Sequence, residues 1–123
     1  MQSNIFLKVA PLLKGKKYNY LSVLNFLEKY YNSSDWIYPV AISKKTKVSI
    51  RDVYEILEEC VGCDIIKRYF NIYCPHCCRF TNETYDNYLA IPNEIFCPQC
   101  DNEITKCFEK TVVIYRVNDY GTE

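Results

Sequence analysis

A chain of 123 residues, 49% hydrophobic and 24% charged, has room for one compact domain or two very small ones and is too apolar to be disordered. Fifteen basic residues balance fifteen acidic ones, which argues against a dedicated nucleic-acid binder, whose affinity draws on a basic excess. No run approaches the roughly eighteen apolar residues of a membrane span, and Lys8 and Pro11 interrupt the apolar start, so neither a membrane segment nor a secretory leader is expected and the protein is read as cytoplasmic.

In chain order, residues 1–17 form a lead-in that carries Lys8, Lys14, Lys16 and Lys17 and no acid. Ile5, Phe6, Leu7, Val9, Leu12 and Leu13 make it too apolar for a free tail, so it is expected to pack. A helix is expected over 20–31, with Leu21, Leu24, Leu27 and Tyr31 at helical spacing on one face. Residues 32–35 read as a loop, and Trp36, Ile37 and Tyr38 re-enter the core. Pro39 suits the first turn of a second short helix reaching about Lys45. After a turn at Val48-Ser49, with Ser49 as N-cap, a third helix runs from Ile50 to about Val61. Its stripe is Ile50, Val53, Leu57 and Cys60, with Ile56 and Val61 beside it, and Gly62 is its expected stop. Residues 64–73 are rich in β-branched and aromatic side chains and read as strand, with Lys67 and Arg68 at a hairpin tip.

Three helices, a short turn between the last two, and a hairpin follow the order of a winged helix-turn-helix. Strands are then expected at 78–85, 104–108 and 111–117, the last two joined near Glu109-Lys110, and Thr111–Val117 carries the strongest strand signal. With Cys74, Cys77, Cys97 and Cys100 standing after the hairpin as two Cys-x2-Cys pairs, the expected fold class is α+β: a three-helix winged helix-turn-helix followed by a four-cysteine zinc ribbon with a C-terminal β-strand. The expected divisions are 1–17, 18–73 and 74–123. Residues 112–115 should be buried on at least one face.

The most specific pattern is Cys74-Pro75-His76-Cys77 with Cys97-Pro98-Gln99-Cys100, two matched Cys-x2-Cys knuckles separated by nineteen residues. Two cysteines at this spacing turn a tight knuckle and aim both thiolates at one ion. Two knuckles close a tetrahedral shell. One structural Zn²⁺ is expected on Cys74, Cys77, Cys97 and Cys100, because four sulfurs leave no open coordination position. The alternative is a set of free cysteines in an ordinary core. His76, inside the first knuckle, is expected at its exposed tip and not as a ligand.

The run from Ile42 to Leu57, then Asp64 to Phe70, then Tyr73-Cys-Pro-His-Cys77, resembles winged-helix proteins that pass directly into a zinc ribbon. Archaeal transcription factor E and its eukaryotic relatives have this outline. So do small accessory proteins of bacterial regulatory or anti-phage defence operons. The resemblance is architectural and spans about residues 20 to 117. It implies the four knuckle cysteines as metal ligands. In such ribbons a left-handed glycine commonly follows each knuckle. Cys78 and Asp101 stand there in this chain, and aspartate tolerates that conformation better than cysteine, so an irregular first knuckle is expected.

Cys60-Val-Gly-Cys63 is a third Cys-x2-Cys pair, either a thiol redox motif or, since Cys60 falls on the apolar stripe, part of the core. Cys78 and Cys107 have no matching partners and read as packing residues. With three glycines, one histidine and no histidine near a nucleophile, no catalytic constellation emerges, and the chain is expected not to be an enzyme. Lys44, Lys45, Lys47 and Arg51 cluster at the helix-turn-helix turn, and with Lys67 and Arg68 they are the candidate nucleic-acid or partner contacts. The third helix and its end also carry Asp52, Glu55, Glu58, Glu59 and Asp64, which would repel phosphates. Three readings follow: an adaptor docking on a larger protein within a nucleic-acid-handling or defence complex, with nucleic acid at most a weak contact; a DNA-binding transcription regulator; and a thiol redox protein.

Overall fold

The structure is a computed structural model that describes residues 4–31 and 35–118. The loop expected at 32–35 lies outside them except for its last residue. The fold mixes helices and sheets. Its described residues divide into two units: those up to Lys67 together with those from Tyr115 onward, and Arg68–Ile114. The division expected at 73/74 thus falls earlier, inside a strand, and Tyr115 and its successors belong to the first unit instead of the second.

The first unit opens with a 3₁₀ helix, Ile5–Leu13, capped by Asn4, whose side chain accepts from the Phe6 amide; Phe6, Val9 and Leu13 are fully buried. The lead-in therefore packs. Helix α1, Tyr20–Leu27, is capped by Asn19 and followed by a 3₁₀ turn over Glu28–Tyr30. Its buried face is Val23, Leu24 and Leu27, whereas Leu21 is 47% exposed. Leu24 and Leu27 of the expected stripe are buried, but the covered side takes in Val23 in place of Leu21, and Tyr31 lies beyond the α-helix, which stops at Leu27.

Helix α2, Pro39–Thr46, starts at the proline and ends on Lys47, which is left-handed at φ 65° with its amide donating to the Ser43 carbonyl. The Ser43 hydroxyl donates to the Val48 carbonyl and the Thr46 hydroxyl to that of Ile42. Helix α3, Ile50–Gly62, is capped by Ser49, which accepts from the Asp52 amide at 3.2 Å. Its buried face is Val53, Ile56, Leu57 and Cys60; Ile50 is 39% exposed. Gly62 ends the helix without adopting a left-handed backbone. Asp64 takes that role at φ 66°, and the Ile65 amide reaches back to the Cys60 carbonyl. Helices α1, α2, α3 and the lead-in pack together.

Strand β1, Ile66–Cys74, is continuous. The hairpin expected within 64–73 is absent: Lys67 and Arg68 sit inside a strand, Lys67 exposed and Arg68 half-buried. Nothing in 64–73 supplies a turn, and β1 instead turns back through the first knuckle into β2, Arg79–Tyr85, its antiparallel partner. A bulge lies opposite Ile72, where Asn82 is left-handed and the buried Thr81 hydroxyl donates to the Ile72 carbonyl at 2.9 Å. A 3₁₀ turn at Tyr88–Ala90 leads to β3, Glu94–Phe96, which pairs antiparallel with β4, Glu103–Thr105. The segment 104–108, expected as one strand, breaks at Lys106 (φ 51°) into a 3₁₀ turn, Cys107–Lys110. Strand β5, Thr111–Val117, pairs not with β4 but within a three-stranded sheet ordered β2-β1-β5.

Within β5, Ile114 and Tyr115 are fully buried, while Val112 and Val113 are half-buried. In the first unit Tyr115 exchanges two backbone bonds with Ile37, sets its ring against that of Tyr54 at a tilt of 56° and donates its hydroxyl to Glu58 at 2.6 Å. Beside it the Arg116 guanidinium lies 3.7 Å from the centre of the Trp36 ring.

Candidate metal centre

Both knuckles are built alike. The Cys78 amide donates to the Cys74 carbonyl at 2.9 Å, and the Asp101 amide to the Cys97 carbonyl at 2.8 Å. Cys78 and Asp101 are both left-handed, at φ 59° and 65°. The irregularity expected at the first knuckle does not occur: cysteine adopts the glycine-like conformation despite its Cβ. Hairpin β1–β2 presents the first knuckle, and β3–β4 flanks the second.

This brings the Sγ atoms of Cys74, Cys77, Cys97 and Cys100 within 4.8 Å of one another. Cys74–Cys100 and Cys77–Cys97 are 3.7 and 3.8 Å apart. Those separations are far beyond the S–S bond of about 2.05 Å. They match the edge of a tetrahedron with metal–sulfur bonds of about 2.3 Å, which is about 3.8 Å. Cys74 and Cys97 are buried and Cys77 and Cys100 half-buried, in a small core with Ile72, Ile104 and Cys107.

Backbone and amide donors address the sulfurs. The Gln99 amide donates to Cys97 Sγ and Asn102 Nδ2 to Cys100 Sγ, each at 3.4 Å. Asn102 pulls the Cys100 thiol down to about 6, while burial, and then hydrogen bonds with the neighbouring thiols, push Cys77 up to about 12. Four crowded sulfurs do not readily share several negative charges, and a bound divalent cation removes that conflict. The donor set therefore suits a soft or borderline metal ion.

Sequence reasoning missed Asn102 and Gln99. Gln99 donates through Nε2 to the Phe80 carbonyl and accepts from Arg79 Nη1, tying the second knuckle to β2. Its only sequence signal is its place between the cysteines of a knuckle. His76 is exposed at the knuckle tip, where it was expected.

The remaining cysteines diverge. Cys107 is buried. Cys60 is buried in the first unit, and burial pushes its thiol up to about 12, the opposite of an activated redox thiol. Cys63 is half-buried. Cys78, expected to pack, is exposed and directs its thiol to the Pro75 carbonyl.

Lys44, Lys45, Lys47 and Arg51 are all exposed, at the end of α2, in the α2–α3 turn and at the start of α3. Lys67 and Arg68 do not form a hairpin tip. On α3, the residues opposite the buried face are Arg51, Glu55 and Glu58. Glu55 accepts from the Tyr18 hydroxyl at 2.9 Å and pairs with Lys16 at 2.7 Å. Lys16, and then Tyr18, hold its carboxyl below the usual range. Among the described residues, no helix is long and apolar enough to cross a membrane.

The chain matches no family model, and neither a curated protein nor a solved structure is significantly similar to it.

Proposed function

We propose that this chain is a non-enzymatic adaptor or accessory subunit, a winged helix-turn-helix joined to a ribbon held by one structural Zn²⁺, that docks on a larger protein in a nucleic-acid-handling or defence complex. The observation that carries this reading is the outward face of α3. A helix that reads a DNA groove needs cations or neutral donors there. This one offers Glu55 and Glu58, held by Lys16, Tyr18 and Tyr115, beside a lone Arg51. Exposed Leu89 (89%) and Phe96 (68%) fit a protein partner. The gathering of four cysteine sulfurs, two pairs of them at a tetrahedral edge length, supports zinc as the ion, and a closed shell of four sulfurs would make its role structural.

A stoichiometric protein partner should co-purify with the chain from its native source. Recovery of the chain alone, with nanomolar binding to a defined duplex at physiological salt, would overturn the proposal. The second reading, a DNA-binding regulator, is favoured by the four exposed cations of the α2–α3 turn. It requires that reversing Lys44, Lys45 and Lys47 to glutamate abolish duplex binding and its salt dependence.

A further inference from the structure

The β3–β4 ribbon has one face in the core and one in solvent. Ile95 pairs with Ile104, and both belong to the small core around the cysteines. Alternation along a strand then puts Glu94, Phe96, Glu103 and Thr105 on the other face, and all four are exposed. The register sets Phe96 directly opposite Glu103, and Glu94 two residues before Phe96 on the same strand. Directly opposed side chains have Cβ atoms about 4.5–5.5 Å apart. A phenyl ring that is 68% exposed is therefore flanked by two carboxylates.

Neither carboxylate has an ion-pair or hydrogen-bond partner among the described residues. The nearby cation Lys110 donates instead to the Thr105 carbonyl. Phe96 makes no ring contact among the described residues.

We infer that this outer face of the β3–β4 ribbon is a docking surface for an arginine-bearing segment of a partner protein. Charge complementarity selects the occupant. An apolar partner covering Phe96 would strip water from Glu94 and Glu103 and leave them unpaired, which is costly. Nucleic acid would be repelled by them. A guanidinium stacks on an aromatic ring and donates in its plane to carboxylates at the same time. One arginine thus covers the ring and pairs its neighbours. The exposed aromatic ring, opposite one acid and two residues along the strand from the other, carries the inference; acids alone would only describe a solvated edge.

The proposal rests on the adaptor reading and names the kind of segment one of its faces would take. Its test is separate from partner capture. The full-length protein is titrated with a synthetic peptide of alternating arginine and serine, and with its glutamate counterpart, by calorimetry. The arginine peptide should bind at the ribbon and the glutamate peptide should not. Phe96→Ser and the double variant Glu94→Gln/Glu103→Gln should each weaken binding about tenfold or more, with metal content and melting temperature unchanged, since both alter only exposed side chains. Failure of the arginine peptide to bind, or binding by both variants equal to that of the wild type, would overturn the inference. So would a neutral apolar peptide that binds as tightly as the arginine peptide. Sedimentation of the free protein decides against a second copy as occupant: concentration-dependent dimers that Phe96→Ser abolishes would assign the face to self-association instead. If a native partner co-purifies yet the peptide is indifferent to all three positions, the adaptor reading stands and this inference alone is lost.

Discussion

The two units reach stability by different means. The helical unit buries Phe6, Leu13, Leu24, Leu27, Ile42, Ile56 and Leu57 completely, each worth roughly 1.5–3 kcal/mol relative to exposure. Among the described residues the second unit fully buries three large aliphatics, Ile72, Ile104 and Ile114; the first two sit in its cysteine core, whose remainder is cysteine sulfur and partly buried side chains, while Leu89, Phe96 and Phe108 face solvent. A core that small does not support a fold without a cross-link. The comparison teaches that four sulfurs gathered on one ion would do in the second unit what aliphatic packing does among the helices. Charge divides along the same line: basic residues outnumber acidic ones in the first unit and acidic ones outnumber basic ones in the second, so the balance of the whole chain conceals two unlike surfaces.

The largest effect expected is on the metal. Cys97→Ser should abolish stoichiometric zinc, and hydrogen exchange should lose protection at Ile95 and Ile104 while α1 and α3 stay protected. Full zinc in that variant, measured by metal analysis, would break the comparison at its root, because metal affinity and folding are one free energy in such a site. Serine at the buried Cys107 should leave zinc content unchanged.

Next comes Tyr115, fully buried in the first unit. Tyr115→Ala should cost about 3–5 kcal/mol, the range for emptying a large aromatic site. Tyr115→Phe removes the hydroxyl bond to Glu58 and should cost about 1.5–3 kcal/mol, as for hydrogen bonds to charged groups. Denaturant unfolding would measure both. A truncation after Lys110 with an unchanged melting temperature would show that β5 is not a core strand.

Smaller gains should come from the left-handed positions. Lys47→Gly and Cys78→Gly each remove the steric penalty of a Cβ at positive φ, about 1–2 kcal/mol, less the entropy glycine loses on folding. Each should raise stability by about 1 kcal/mol at unchanged zinc content. A fall in stability would mean that a side-chain contact outweighs the backbone strain, for Cys78 its thiol's contact with the Pro75 carbonyl.

The smallest effect is electrostatic. Glu55 is held below the ordinary carboxylate range, first by Lys16 and then by Tyr18. The folded state therefore binds this proton less readily than the unfolded chain. Its contribution is present above the unfolded carboxylate pKa and is lost as pH falls through the folded one. Melting temperatures of the wild type and Glu55→Gln should differ slightly at neutral pH and converge in acid. The pair is partly solvent-exposed, and a difference that persists in acid once Glu55 is itself protonated would assign it to packing.

What local chemistry controls was legible in the residues. The cap at Ser49, the proline at the start of α2, the span of α3, the strand at 111–117 and the four gathered sulfurs all follow from interactions within a few residues or from the demands of one ion. Tertiary structure decided what depends on a distant partner. Leu21 and Ile50 look like core residues by spacing, but which side of a helix is covered depends on what packs there. Residues 64–73 have strand chemistry, yet only the unbroken course of β1 through the sheet β2-β1-β5 shows that Lys67 and Arg68 lie within a strand and not at a tip. Strand β5 reads as a strand from its branched side chains, but its place beside β1 instead of β4 comes from long-range hydrogen bonding that alternation does not encode. The same holds at the sulfurs. Spacing alone names Cys74, Cys77, Cys97 and Cys100, because two knuckles suffice to surround an ion. The roles of Asn102 and Gln99 emerge only when the knuckles close, since each depends on where its amide comes to rest in space.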